Sequence, residues 1–148
     1  LGGAREAAAA WLGRAPGATP EVSLPGRLER RPIEVRDGAH NPDGVRWLVE
    51  QLHPGFYVIC ASILEDKDVD AMLADLATLG ETFVATRSSN PRALAADVLA
   101  GIARSHFSHV ESVTEPRAAV ERAHALGSPV LVTGSLYLLM DLAKADDE

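Results

Sequence analysis

The sequence predicts an α/β domain of three layers, in which helices cover both faces of a mostly parallel sheet of about six strands. Short apolar runs rich in Val, Ile and Phe alternate with segments whose apolar residues recur every three or four positions. Each predicted strand is therefore followed by a predicted helix, and such βαβ units form parallel sheets with right-handed crossovers. This alternation is typical of Rossmann-like domains.

The predicted elements follow one another in a regular order. Strands are expected over residues 32–36, 56–62, 82–86, 109–113 and 129–133. Helical spacing follows at 44–52, 69–79 and 94–102, and more weakly at 120–126 and 136–140. A further short strand over residues 28–30, turning back before Pro32, would add one antiparallel edge.

The first twenty residues differ in composition from the rest. Residues 3–12 are rich in alanine and predict a short helix, and residues 13–20 are rich in Gly and Pro, as in a linker. We interpret residues 1–20 as a linker or the tail of a preceding domain, and residues 21–148 as the compact domain. Because the chain starts at Leu1 rather than at a methionine, we expect it to be part of a longer protein.

Composition excludes several classes of function. A net charge of -7 argues against a nucleic-acid-binding protein, which usually carries a basic surface. No apolar run approaches the roughly twenty residues that cross a bilayer, and no signal peptide is apparent. The single cysteine, Cys60, lies in an apolar run and predicts a buried thiol in a reducing cytoplasm.

The predicted topology gathers polar residues at one edge of the sheet. In an open parallel sheet all strand-to-helix loops emerge at the carboxyl edge, and ligands bind there. These loops contain Asp37, His40, Asn41, Glu65, Asp66, Lys67, Arg87, Ser88, Ser89, Asn90, Thr114, Glu115, Thr133, Gly134 and Ser135.

The most informative loop is Asp-Gly-Ala-His-Asn-Pro at residues 37–42. A carboxylate, an imidazole and a carboxamide in one turn are suited to holding a polar ligand. The alternative is an ordinary turn in which Asp37 or Asn41 accepts bonds from backbone donors and Asn41-Pro42 starts a helix. The spacing alone leaves both interpretations open.

Lys67 and Ser135 are two further candidates. Lys67 is one of only two lysines and could neutralise a substrate carboxylate, or it could be a solvated lysine among three acids. Ser135 opens a predicted helix, where backbone N–H groups suit an anion, although a plain helix cap explains a lone Gly-Ser more simply.

Other chemistry has weaker support. His106 and His109 lack a third ligand nearby, so no metal site is predicted, and His53 and His124 are expected at the surface near helix ends. The chain contains no Gly-x-x-x-x-Gly-Lys-Ser/Thr loop, so it does not itself cradle ATP phosphates in that manner.

Five sequence blocks carry a resemblance to a known family. They run in order over residues 24–29, 37–44, 66–68, 86–94 and 132–138. Together they resemble the C-terminal domain of folylpolyglutamate synthase/dihydrofolate synthase, in the Mur ligase superfamily. The Asp-Gly-Ala-His-Asn-Pro block is the most specific of the five.

The resemblance implies a ligase that uses ATP to join glutamate to folate, within one-carbon metabolism. It implies that Arg27 reaches the terminal phosphate of ATP and Asp37 the ribose. The incoming glutamate would lie against His40, Asn41, Lys67 and Ser135. No catalytic residue is expected within this chain alone.

The resemblance also implies what the chain lacks. ATP and Mg²⁺ would be bound largely by an N-terminal P-loop ATPase domain of the same enzyme, with the magnesium ligands outside this chain. The isolated chain is therefore expected to be inactive. Two alternatives stay open: a free-standing module that binds a nucleotide or an amino acid, and the C-terminal domain of another Mur-type ligase.

Overall fold

The computed structural model describes residues 27–147 of the chain. The predicted helix over residues 3–12, the linker over 13–20 and the predicted domain start at residue 21 lie outside the described residues. The described part of the chain thus extends from the hairpin that follows Arg27 to the end of the last helix.

Six strands of the described part of the chain form one sheet. They are β1 (Glu29–Arg31), β2 (Glu34–Arg36), β3 (Val58–Ala61), β4 (Thr82–Ala85), β5 (His109–Ser112) and β6 (Val130–Thr133). Their order is β1-β2-β6-β3-β4-β5, and all neighbours are parallel except β1 and β2. The mostly parallel sheet with one antiparallel edge is thus confirmed. The strand predicted over residues 32–36 begins later because Pro32 and Ile33 form the hairpin turn.

Five helices of the described residues cover the two faces of this sheet. They are α1 (Pro42–Gln51), α2 (Val69–Leu76), α3 (Ala96–Ala103), α4 (Pro116–Leu126) and α5 (Leu136–Asp146). The first three contribute to one hydrophobic core, and α4 and α5 contribute to the other. This arrangement confirms the three layers that the sequence predicts.

Strand β3 shows how one strand supplies both cores. Ile59 and Ala61 belong to the core beneath α1, α2 and α3, whereas Val58 and Cys60 belong to the core beneath α4 and α5. Because a central parallel strand is buried on both faces, its sequence is a continuous apolar run rather than an alternating one. Cys60 is a fully buried free thiol, as predicted, and burial raises its pKa to about 12.

The start of α3 differs from the prediction. Helical spacing predicts a helix from Leu94, but α3 begins at Ala96. The preceding backbone pairs with the loop after β3 instead: Leu94 N–H donates to Ile63 O at 3.0 Å, and Glu65 N–H donates to Arg92 O at 2.8 Å. These bonds, with the bridge between Leu64 and Ala93, delay the start of α3 and hold Arg92 beside the loop after β3.

A charged cluster lies under α4 and α5, formed by Glu34, Arg36, His124 and Asp146. Glu34 and Arg36 are 7% and 6% exposed and form an ion pair with each other. His124 Nε2 lies 2.6 Å from Glu34 Oε1, and Arg36 Nη1 lies 3.3 Å from Asp146 Oδ2. His124 was expected at the surface, but it is half-buried, and its contact with Glu34 joins α4 to β2.

Candidate ligand-binding site

Loops at the carboxyl edge of the sheet enclose a cleft of about 330 Å³. Its walls come from the loops after β2, β3, β4 and β6 and from the first turns of α5. The lining residues are His40, Leu64, Lys67, Arg92, Ser135, Leu136, Tyr137 and Met140. The fold thus brings three of the predicted glutamate-binding residues, His40, Lys67 and Ser135, into one cleft.

Asp37 lies beneath this loop region rather than among the cleft-lining side chains. It is 4% exposed, and its two carboxylate oxygens accept bonds from Leu28 N–H at 2.7 Å and Ala39 N–H at 2.9 Å. Burial raises the pKa of Asp37, although these two bonds and the charge of Arg27 partly offset that effect. Asp37 therefore ties the start of the hairpin to the loop that carries His40.

His40 and Asn41 follow in the same loop with different contacts. His40 is exposed, and its Nδ1 lies 3.0 Å from the Gly38 carbonyl oxygen. Because a carbonyl oxygen only accepts, this bond requires the proton on Nδ1 and leaves Nε2 to a ligand. Asn41 is the N-cap of α1, where its Oδ1 accepts from Gly44 N–H at 2.8 Å. The amide oxygen of Asn41 is thus used to start the helix.

The surroundings of Lys67 distinguish its two interpretations. Asp66 pairs with Arg92 at 2.8 Å, and Asp68 caps α2 through Ala71 N–H at 3.2 Å. Within residues 27–147 no carboxylate forms an ion pair with the half-buried Lys67. The acids that flank Lys67 in the sequence are therefore occupied elsewhere, and its ammonium group is available at the cleft.

Ser135 and Gly134 form the corner between β6 and α5. Ser135 is 1% exposed and caps α5, since its Oγ accepts from Tyr137 N–H at 3.0 Å. Gly134 has φ +104°, and a Cβ at this position would overlap the Ser62 carbonyl oxygen. The close approach of this corner to the end of β3 brings the first turn of α5 against the cleft.

One wall of the cleft is apolar and accessible. Leu136, Tyr137 and Met140 on α5 are 44%, 42% and 63% exposed. The residues with cationic or titratable nitrogen, His40, Lys67 and Arg92, line the same space. Such a combination suits a ligand with negative carboxylates and an aliphatic or aromatic portion.

Arg92 is the charged cleft residue that sequence reasoning missed, together with the apolar lining residues Leu64, Leu136, Tyr137 and Met140. It belongs to the sequence block at residues 86–94, but its predicted position just before a helix gave no indication that it lines the cleft. The signal that could have found it is Asn90-Pro91, because proline restricts the residue before it and ends helical spacing. In the structure Asn90 Oδ1 accepts from Arg92 N–H at 2.8 Å and turns the chain there.

The described residues offer two further observations. Within residues 27–147 no group of three His, Cys, Asp or Glu side chains is arranged to hold a metal ion. None of the helices in that range is long and apolar enough to cross a membrane.

The chain is similar in sequence to a known protein family and to characterised enzymes. Residues 26–136 match the family described as Mur ligase, glutamate ligase domain. The chain is 38% identical over 114 residues to the dihydrofolate synthase/folylpolyglutamate synthase of Mycobacterium tuberculosis, covering 71% of this chain and 23% of that protein. It is 35% identical over 121 residues to the folylpolyglutamate synthase of Lacticaseibacillus casei, covering 77% and 28%.

The fold also resembles that of a solved structure from the same group of enzymes. The crystal structure of the Mycobacterium tuberculosis folylpolyglutamate synthase complexed with ADP and AMPPCP aligns with a TM-score of 0.77 and 31% identity, covering 86% of this chain and 33% of that one. The chain thus spans a third or less of the length of these relatives. The family match covers the first core, most of the second core and six of the eight residues that line the cleft, and the chain belongs to the family of Mur ligase, glutamate ligase domains.

Proposed function

We propose that the chain is the C-terminal domain of an ATP-dependent ligase that adds L-glutamate to folate, of the folylpolyglutamate synthase/dihydrofolate synthase type. The observation that carries the proposal is the cleft in which the unpaired Lys67 ammonium faces the same space as Arg92 and the first turn of α5. The Lys67 ammonium, the N–H donors that Arg92 keeps beyond its bond to Asp66, and a helix N-terminus suit a ligand with two carboxylates, as glutamate has.

The proposed reaction has two steps. A carboxylate oxygen of the folate attacks the terminal phosphorus of ATP, and ADP leaves with the electron pair of the broken P–O bond. The amine of glutamate then attacks the acyl carbon, a C–N bond forms, and phosphate leaves as the amine loses a proton. Holding both reactants in the right orientation lowers the barrier by several kcal/mol.

In this proposal the residues of the domain bind and orient. Arg27 contacts the terminal phosphate of ATP, where a guanidinium stabilises developing charge. Asp37 contacts the ribose, for which each carboxylate oxygen keeps a lone pair beyond its backbone bond. The glutamate-binding set is His40, Asn41, Lys67 and Ser135.

The remaining parts are assigned to a partner domain. We propose that an N-terminal P-loop ATPase domain of the same enzyme holds Mg²⁺ and most of the ATP, and closes over the cleft. We also propose a cytoplasmic location, where an unpaired thiol such as Cys60 is ordinary.

The isolated chain tests this division of labour. Incubated with ATP, folate and glutamate, it is expected to release no phosphate above background, because the P-loop is missing from its 148 residues. Phosphate release by the chain alone would contradict the proposal. Calorimetry checks the alternative of a binding module, which predicts micromolar affinity for ATP or glutamate, whereas half of a site predicts millimolar binding or none.

Lys67→Ala in the complete enzyme tests the glutamate site. Losing a charged hydrogen bond costs about 1.5–3 kcal/mol, so the KM for glutamate is expected to rise about tenfold or more while the KM for ATP changes little. Lys144→Ala is the matched control, because Lys144 is the other lysine and lies exposed in the last turn of α5. A larger change in the KM for ATP than for glutamate would refute the assignment of Lys67.

A further inference from the structure

The guanidinium of Arg27 lies over the ring of Trp47. Its Cζ lies 4.6 Å from the ring centroid, well within cation–π range. Arg27 is exposed, whereas Trp47 in α1 is half-buried and packs against the larger hydrophobic core. Packing against the core therefore fixes the position of the indole ring, and the cation–π contact with the ring fixes the position of the guanidinium.

The backbone next to Arg27 is fixed as well. Leu28 has φ +47°, which a residue with a side chain adopts only when its surroundings impose it. Its N–H donates to Asp37 Oδ1 at 2.7 Å, and its side chain packs against the same core as Trp47. Both ends of the Arg27 side chain are thus constrained, the backbone end by Asp37 and Leu28 and the guanidinium by Trp47.

The contact with the ring leaves N–H donors of the guanidinium available to a ligand. A guanidinium stacks through its planar face, while its five N–H donors lie in the plane and match the oxygens of carboxylates and phosphates. Within the described range, no side-chain N–H of Arg27 donates a hydrogen bond and no carboxylate pairs with it. The contact with Trp47 therefore orders this arginine without using its donors.

We propose that Trp47 is a positioning residue, a platform that presents the Arg27 guanidinium to the terminal phosphate of ATP. This inference rests on the proposed function, in which Arg27 contacts that phosphate. The indole face fixes the orientation of the guanidinium before ATP arrives, and preorganised donors cost less to immobilise on binding. Trp47 contacts no substrate itself and acts only through Arg27.

The test measures nucleotide affinity in the complete enzyme that contains this domain. Trp47→Leu removes the ring face and is expected to raise the Kd for a non-hydrolysable ATP analogue about three- to thirtyfold, with little change for ADP, which lacks the terminal phosphate. Trp47→Phe keeps an aromatic face and is expected to restore most of the affinity. If Trp47→Leu does not fold, as judged by its thermal midpoint, Trp47→Met takes its place.

A double-mutant cycle separates positioning from a general structural role. In an Arg27→Ala background, Trp47→Leu is expected to cause no further loss of affinity for the ATP analogue, because the group that it positions is gone. Equal losses in both backgrounds, or equal losses for ATP analogue and ADP, would overturn the inference while leaving the proposed role of Arg27 intact. An Arg27→Ala variant with unchanged affinity for the analogue would overturn both.

Discussion

Gly134→Ala is expected to lower the free energy of unfolding by about 3 kcal/mol and to abolish ligand binding at the cleft. Gly134 has φ +104°, a left-handed conformation that costs a residue with a Cβ about 1–2 kcal/mol. The added methyl would also overlap the Ser62 carbonyl oxygen and approach Ile63 Cγ1 to 3.3 Å. The corner between β6 and α5 must then move, and Ser135 moves with it.

Urea denaturation of the chain measures the effect on stability. Gly101→Ala is the matched control, because Gly101 is exposed within α3 and a Cβ there meets nothing within 4 Å. Alanine favours helix over glycine, so this control is expected to raise the stability by up to about 1 kcal/mol. A Gly134→Ala variant as stable as the unaltered chain would show that the corner does not approach β3 as closely as described.

The second large effect is expected at the charged cluster under α4 and α5. Glu34→Ala should lower the free energy of unfolding by about 3 kcal/mol, because it leaves the buried Arg36 guanidinium without its nearest carboxylate. It also removes the partner of His124 Nε2. Glu121→Ala is the control, since Glu121 is exposed and lies 3.7 Å from Arg117; such a surface pair contributes under about 1 kcal/mol. Equal losses for the two variants would contradict this account.

The same cluster predicts a dependence on pH. Burial alone raises the pKa of Glu34, but hydrogen bonds from His124 and Arg36 together with their charges outweigh burial and leave the pKa below its ordinary value of 4.5. The folded state thus favours the ionised carboxylate, and its stabilisation is present above pH 4.5 and lost as the pH falls through the lowered pKa. Unfolding free energies measured from pH 7 down to pH 3 should therefore converge for the unaltered chain and Glu34→Ala.

Much of the architecture was predictable because its signals are local. The apolar run around Cys60 and the spacing of Val45 and Leu48 identify a strand and a helix without knowledge of their neighbours. Alternation of the two implies parallel strands, and parallel strands place their following loops at one edge. That reasoning places His40, Lys67 and Ser135 at one edge of the sheet, and in the structure these three residues line one cleft, whereas Asp37 lies beneath it.

The roles of individual polar residues were harder to predict. Asn41 and Ser135 were open between ligand contact and helix cap, and the structure shows both as caps, with Ser135 also lining the cleft. Lys67 was open between a ligand contact and a solvated lysine among acids. Its neighbouring acids turned out to bond with Arg92 and with the backbone of α2.

The sequence by itself determined the existence and order of the strands and helices and the edge of the sheet that carries the polar loops, because each depends on residues close together in the chain. Several element ends, such as the starts of β2, α3 and α4, differ from the prediction. Only the tertiary structure decided the position of β6 at the centre of the sheet, the bonds that place Arg92 at the cleft, the position of Arg27 over Trp47, and the contact of Glu34 with His124, 90 residues away. Those contacts join segments that packing alone brings together, and no local pattern records them.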